Sequence, residues 1–584
     1  MSLRSRQLIS REEVIVANAI VAAGHPLEAE VGIDILKAGG NAVDAAVAVG
    51  FLAVVVEPVM TVLGSCGFLL YMDGASGESW CIDFAPRAPE RSRPDMFRVL
   101  DEPAVATTLG SALVENDANA SGHLSVGVPG LVKGLCRAHA QWGRLPFSQV
   151  IEPAIHCAEA GCVCDWYTAY CIASDLRWFQ RYPESGKTFL PGGQIPDQRV
   201  PAKIVQRELA DTLRRISREA DRDFYQGEIA HAIADDMTEN GGILTAEDLK
   251  AYDVDVYRPP SITYRGYEIL FPAAPCGVWT IAQTLNLLEC SNLGGFEHNG
   301  PEHLQILIEA SRHAFVDRYY YLGDPDHVAC PLKGILSKGY ARELHGKIAR
   351  MTAELGRGAA AEPWVTFAGS PLHDPWGHDG GRKPPQPWGI SVPPASAGHT
   401  THCSIVDKDR NLVSLTQTAG EHFGAKFTTP GTGIMHADAM VWFNPHPGTA
   451  NSVGPRKRPL CNMGTLLVRK DERPFMALGA SGGRRIIGCL VQIISNVVDF
   501  GMSMQSAISA PRIDASGRVT LYNDRIEPKA IARLCAMGHA LQGVSEEYYP
   551  VIWEFGRAAG VLVSEDGLLR GGVEATARAE ARGT

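Results

Sequence analysis

"GHTTHCSIVDKDRNLVSLTQTAG", Gly398 to Gly420, decides how the middle of this chain folds. Thr400–Val406 reads as a strand, Asp407–Asn411 as a turn and Leu412–Thr418 as the return strand. In the symmetric antiparallel register Val406 opposes Leu412, Ser404 opposes Ser414, His402 opposes Thr416 and Thr400 opposes Thr418. Side chains alternate across a strand, so Cys403, Ile405, Val413 and Leu415 gather on one face. Thr400, His402, Ser404, Ser414, Thr416 and Thr418 gather on the other. Opposed residues lie about 4.5–5.5 Å apart at Cβ, which puts Thr400 beside Thr418 and leaves Thr401 on the far face. Such a hydroxyl row suits a site or a solvated sheet face.

Outward from the hairpin, Ala359–Gly398 is dense in Pro, Gly and Ser and has no period, which reads as a mobile connector. Beyond it come strand-like "GTLLVRK" and "PFMALGA", a Gly-rich turn, and the apolar helix "RRIIGCLVQIISNVVDFG". Nearer the N-terminus, helical spacing at Ala29, Ile33, Ile35 and Leu36 stops at Gly39-Gly40, and a second helix starts from Asn41. "GFLLYMDGASGESWCIDF" reads as two strands around a Gly/Ser turn, and Thr245 as a helix cap.

The 584 residues exceed one ordinary core, and 45% hydrophobic with 20% charged residues fits a globular protein. A formal charge of -11 without a basic stripe argues against nucleic-acid binding. "AVDAAVAVGFLAVVVEPV" holds Asp44 and Glu57 and reads as a buried helix, not a membrane span. No secretory signal is read at the N-terminus, so the 14 cysteines are expected reduced and the location cytoplasmic. "HCAEAGCVCDWYTAYC" lacks the spacing of a paired knuckle, and its cysteines read as small buried hydrophobes. The histidines between 378 and 436 form no convincing ligand set, so neither a catalytic metal nor a cofactor is expected.

"TTHCSIVDKDRNLVSLTQT" resembles the small-subunit start of the gamma-glutamyltranspeptidases, which are N-terminal-nucleophile hydrolases. "GGNAVDAAVA", "GHLSVGVPGLVKG", "LTAEDLKAY", "YRGYEI", "FVDRYYYLGDPD", "NSVGPRKRPL" and "ASGGRRII" resemble family segments in the family's order. The resemblance implies an α+β fold, a four-layer αββα sandwich, with strands of both fragments intertwined. It implies a proenzyme cut at His399–Thr400 into a large segment 1–399, carrying the connector 359–398, and a small segment 400–584. The fragments stay associated and act on a small-molecule amide; further oligomerisation is open.

The family's nucleophile maps to Thr400, its assisting hydroxyl to Thr418, and its oxyanion loop to Gly482 and Gly483 after Ser481. Cleavage would free the α-amine of Thr400, whose ordinary pKa of about 7.7–8.0 suits a general base at neutral pH. Before cleavage that nitrogen is an amide and cannot serve.

The head-group positions depart from the pattern. The family's arginine becomes Ala85 in "DFAPRAP", with Arg87 two residues on. In "HADAMVWF" the family's aspartate becomes Trp442 and its glutamine Ala439, and the serine pair after "KRPL" becomes Cys461 and Asn462. The "NPHPGTA" stretch also looks short for a lid. These changes favour a self-processing amidohydrolase or acyltransferase with an acyl group other than γ-glutamyl. Two other readings stand beside it: a true transpeptidase or glutathione hydrolase using Arg87 and Asn462, and a non-catalytic binding relative. Whether Arg458 and Arg485 touch substrate is left open.

Overall fold

The computed structural model describes residues 9–100, 114–347, 373–380, 399–517, 519–545 and 555–584. Two seven-stranded antiparallel sheets form its centre. Across the first run Glu580–Gly583, Ile20–Ala23, His399–Val406, Leu412–Gly420, Cys66–Met72, Ser79–Phe84 and Asp255–Tyr257. Across the second run Val14–Val16, Leu569–Val573, Arg557–Val563, Arg473–Ser481, Gly464–Lys470, Tyr267–Leu270 and Ser261–Tyr264.

Strands from either side of residue 400 interleave in both sheets. Cys403–Val406 pair with Ile20–Ala23, and Leu412–Thr418 pair with Cys66–Met72. A chain cut before Thr400 therefore keeps its two parts zipped by backbone hydrogen bonds.

Three apolar clusters define the layers. Cys403, Ile405, Val413 and Leu415 pack with the helices Pro26–Lys37, Ala42–Val56, Leu131–Trp142 and Phe147–Ala160. Val406, Leu412, Leu70 and Ile20 meet Leu467, Ala477, Val561 and Leu569 between the sheets. Leu466, Val468, Met476 and Leu478 face the helices Val278–Leu288, Pro301–Tyr321 and Arg485–Val498. Helices, sheet, sheet, helices: this is the α+β sandwich.

The expected local signals are present in the fold. Asn41 caps Ala42–Val56 with a reciprocal capping box to Asp44, and every residue of that helix is buried. A helix apolar all round belongs inside a large core, and among the described residues no helix is long and apolar enough to cross a membrane. Thr245 caps Ala246–Ala251 through a second capping box. In the cysteine-rich stretch Cys164 and Cys171 are buried in an apolar cluster with Tyr167 and Phe179, whereas Cys157 and Cys162 are only half-buried.

One stretch differs from its reading as mobile. Most of the Pro/Gly-rich connector lies outside the described residues, but residues 373–380 are anchored, with His373 fully buried. Its ring bonds Asp317 at 2.8 Å and His313 at 3.0 Å, and its carbonyl accepts from Tyr321 Oη at 2.5 Å. Side-chain partners on the helix Pro301–Tyr321 hold a segment that composition alone marks as loose.

Candidate active site

The hairpin adopts the register read from its alternation, Thr400 opposite Thr418, His402 opposite Thr416 and Ser404 opposite Ser414. A register irregularity between His399 and Thr400 lifts the chain from regular pairing at that bond.

The hydroxyl face is turned to the second sheet, not to solvent. Ser404, Ser414 and Thr416 donate to the carbonyls of Ala559, Leu478 and Gly464. His402 lies within the row, its ring nitrogens 2.8 Å from Thr416 Oγ1 and 2.8 Å from Ser404 Oγ. Burial pushes its pKa down to about 3, so the ring is neutral and joins hydroxyls without carrying charge.

At the head of the row Thr400 Oγ1 donates to Thr418 Oγ1 at 3.1 Å. Thr418 Oγ1 in turn donates to the His399 carbonyl at 2.7 Å and accepts from the Gly420 N–H at 3.0 Å. One hydroxyl thus touches both the candidate nucleophile and the carbonyl it would attack.

Ser481 shares a small cavity with Thr400. There the strand Arg473–Ser481 ends and the helix Arg485–Val498 begins, joined through Gly482 at φ +127° and Gly483 at φ +59°. A Cβ at Gly482 would sit 3.0 Å from the Gly556 Cα, so glycine is needed for both conformation and space.

Four of the departing positions, Ala85, Ala439, Trp442 and Cys461, are buried in the large apolar core that also takes in Cys66 and Phe68. Cys66 is the strand partner of Thr418, and its ionisable neighbours are Cys461, Asp438 and Asp83, so the surroundings of the hydroxyl pair combine apolar side chains with carboxyl groups. Asn462 adjoins Cys461, accepting from the fully buried Arg318 at 2.7 Å; Arg318 also bonds the Cys461 carbonyl at 2.9 Å.

Arg87 stands elsewhere, paired with Asp255 at 3.2 Å near the surface and lying over the Tyr252 ring. Arg458 is held by Asp324 and Asp326, each at 2.8 Å, with Asp83 at 3.9 Å. It is committed to carboxylates of the chain itself.

Asp438 was missed, although it lies inside the quoted "HADAMVWF". It accepts from the Glu421 N–H at 2.9 Å and presses so closely on Gly420 (φ +100°) that a Cβ there would meet its Oδ1. Burial, reinforced by Glu421 and only partly offset by Lys426, raises its pKa well above the carboxylate range. The signal was available in the Thr-Ala-Gly end of the return strand, where a glycine two residues past Thr418 leaves room for a neighbour.

A family model described as Gamma-glutamyltranspeptidase matches residues 29–584. The glutathione hydrolase proenzyme of Bacillus subtilis (strain 168) is 33% identical over 528 residues, covering 89% of this chain and 85% of that protein. The Acylase ACY 1 proenzyme of Pseudomonas sp. (strain V22) is 34% identical over 526 residues, covering 90% and 87%. Among solved structures, the cephalosporin acylase from Bacillus halodurans superposes with a TM-score of 0.81 at 26% identity, covering 100% of this chain and 98% of that one. With the family matched across nearly its whole length and the sandwich reproduced in three dimensions, the chain is a hydrolase of the gamma-glutamyltranspeptidase family.

Proposed function

We propose that the chain cuts itself between His399 and Thr400 and then hydrolyses an amide whose acyl group is not γ-glutamyl. The observation that carries the first half is Thr418 Oγ1, bonded to Thr400 Oγ1 and the His399 carbonyl together.

In the self-cleavage, Thr400 Oγ attacks the His399 carbonyl carbon and gives up its proton along the Thr418 hydroxyl. The Thr418 O–H stabilises the charge growing on the carbonyl oxygen. The C–N bond breaks, the Thr400 nitrogen takes a proton, and water hydrolyses the resulting ester. Thr400 now carries a free amine and a free hydroxyl on one residue.

In turnover, that amine accepts the Oγ proton as Oγ attacks the substrate carbonyl, then passes it to the departing amine. Gly482 and Gly483 supply backbone N–H groups to the oxyanion, an interaction typically worth about 2.7–4 kcal/mol per donor. Water releases the acyl group. Association of the large and small fragments follows from the interleaved strands.

Acyl choice follows from the side chains at the departing positions. Ala85, Trp442 and Cys461 offer neither a cation for a carboxylate nor an anion for an ammonium. The charged groups next to them are engaged by the chain itself: Arg318 by the Cys461 carbonyl and Asn462, Asp83 by the Ala85 N–H and Tyr257. A buried charge left without its partner costs roughly 3–5 kcal/mol, which disfavours a zwitterionic amino-acid head. The similarity to proteins named acylases agrees with this choice.

The test is a denaturing gel with mass spectrometry, followed by turnover of γ-glutamyl-p-nitroanilide against p-nitroanilides of apolar acids. Two fragments with Thr400 at the new terminus, reduced to one band in Thr400→Ala, support the nucleophile. Glutamyl turnover exceeding every apolar anilide would sink the acyl assignment.

A further inference from the structure

The residue that would lose its bond to Thr400 is also held by its side chain. His399 is buried, and its ring lies against that of His422, with centroids 3.7 Å apart and planes at 54°. His422 is itself fixed at both nitrogens: Nε2 is 3.6 Å from Cys171 Sγ and Nδ1 is 3.4 Å from Asp175 Oδ2. Cys171 is fully buried in the helix Trp166–Ser174, and Asp175 is that helix's C-cap.

The turn that carries His422 is equally pinned. It leaves the return strand through Gly420 at φ +100° and continues through Phe423 at φ +57°. A positive φ is unfavourable for phenylalanine and persists only where the surroundings impose it. Here the Phe423 ring packs against Phe179 and Phe189, at 4.9 and 5.1 Å. Both belong to helices of the large segment, Leu176–Arg181 and Pro183–Phe189. Among the charged groups nearby, Lys426 stands 3.5 Å from Glu421, whose N–H goes to Asp438. Arg557, which lines the small cavity with Thr400, lies over the Tyr167 ring, one helical turn before Cys171. What bears on His399 is a ring, not one of these charges.

His399 is therefore gripped at two places. Its carbonyl accepts from Thr418 Oγ1 at 2.7 Å while its side chain rests on His422. The register irregularity of the hairpin falls at the bond to be cut, His399–Thr400. A carbonyl held at one point only could turn about it. Attack by Thr400 Oγ needs that carbonyl in place, and a misplacement of about 1 Å costs up to about 10²-fold in rate.

We propose that His422 is a positioning residue for the self-cleavage: its ring seats the His399 side chain and thereby holds the scissile carbonyl for attack by Thr400 Oγ. This rests on the cut at His399–Thr400 proposed above. His422 acts only through His399 and moves no proton.

The test is a double-mutant cycle, read as the rate at which freshly made precursor converts to two bands on a gel. His399→Ala and His422→Ala each remove one ring and are expected to slow conversion about 10–100-fold. Both remove the same contact, so the double variant is expected within about threefold of the slower single one. His399→Phe keeps a ring against His422 and is expected to stay within about threefold of wild type. Slowing factors that multiply in the double variant would overturn the inference, since a residue that only supports the fold acts independently of position 399. So would His422→Ala converting at the wild-type rate. If His422→Ala does not fold, the His399 pair decides alone, and equal rates for His399→Phe and His399→Ala end the proposal. A wild type that stays one band sinks the cleavage reading and this inference with it. A wild type that is cut, with no coupling in the cycle, sinks this inference alone.

Discussion

The Thr418 hydroxyl stands between the Thr400 hydroxyl and the His399 carbonyl, 3.1 Å from one and 2.7 Å from the other. A threonine on the opposite strand thereby takes part in the geometry of a peptide bond 19 residues away in sequence. Removing this single oxygen tests that arrangement. Thr418→Ala is expected to slow self-cleavage by about 10²–10³-fold, the cost of one oxyanion donor. Thr418→Ser keeps the hydroxyl and stays within about tenfold. A gel time course after synthesis reads both.

Gly482→Ala probes the strand-to-helix turn. Its φ of +127° is closed to alanine without strain, and the added carbon would press on the Gly556 backbone. Backbone strain of this kind costs about 1–3 kcal/mol. If the turn supplies the oxyanion donors as proposed, the expected result is a kcat reduced about 10–100-fold with KM little changed.

Ala85→Arg puts the charge of the family pattern into a buried position whose neighbouring carboxylate, Asp83, already accepts from the Ala85 N–H and Tyr257 and lies 3.9 Å from Arg458. Ala85 is 7% exposed among Phe68, Trp442 and Cys461. The variant is expected to lose about 3–5 kcal/mol of stability and to gain no γ-glutamyl turnover. A lowered Tm with unchanged substrate preference is the outcome to look for in calorimetry and the anilide assay. A stable variant that turns over γ-glutamyl-p-nitroanilide would show that Asp83 can take the added cation and would overturn the acyl assignment.

His402 makes a pH prediction with a definite sign. Its folded pKa is pushed down to about 3 by burial, while an unfolded histidine titrates near 6.5. The unfolded chain therefore binds the extra proton first, and stability falls as pH drops from about 6.5 toward 3. Above 6.5 both states are neutral and the effect vanishes. His402→Gln keeps polar contacts without a titrating ring, so the acid-side slope of Tm should shrink by one proton's share. An unchanged slope would mean that the ring is already charged in the fold.

The hairpin was legible because a period of two leaves little freedom. Once Asp407–Asn411 is a turn, register follows from counting, and Thr400 must oppose Thr418. The capped helices were legible from Asn41, Asp44 and Thr245 for the same local reason. Asp438 was not, since what matters about it is which crowded atoms it meets from Gly420 and Glu421 on another segment. The direction of the hydroxyl face was equally hidden, because an alternating strand reads the same whether its polar side meets water or a second sheet.

The sequence by itself determined the strand pairing around residue 400, the caps, and the family pattern with its departures at Ala85, Trp442, Cys461 and Asn462. Only the tertiary structure decided that Ala85, Trp442 and Cys461 are all buried in one large core, that Arg87 belongs to Asp255 instead, and that His373 is held by Asp317. Hydrogen-bond register acts between neighbours in a hairpin and is encoded by alternation. Burial and charge pairing act between residues hundreds of positions apart, and nothing in a linear period records them.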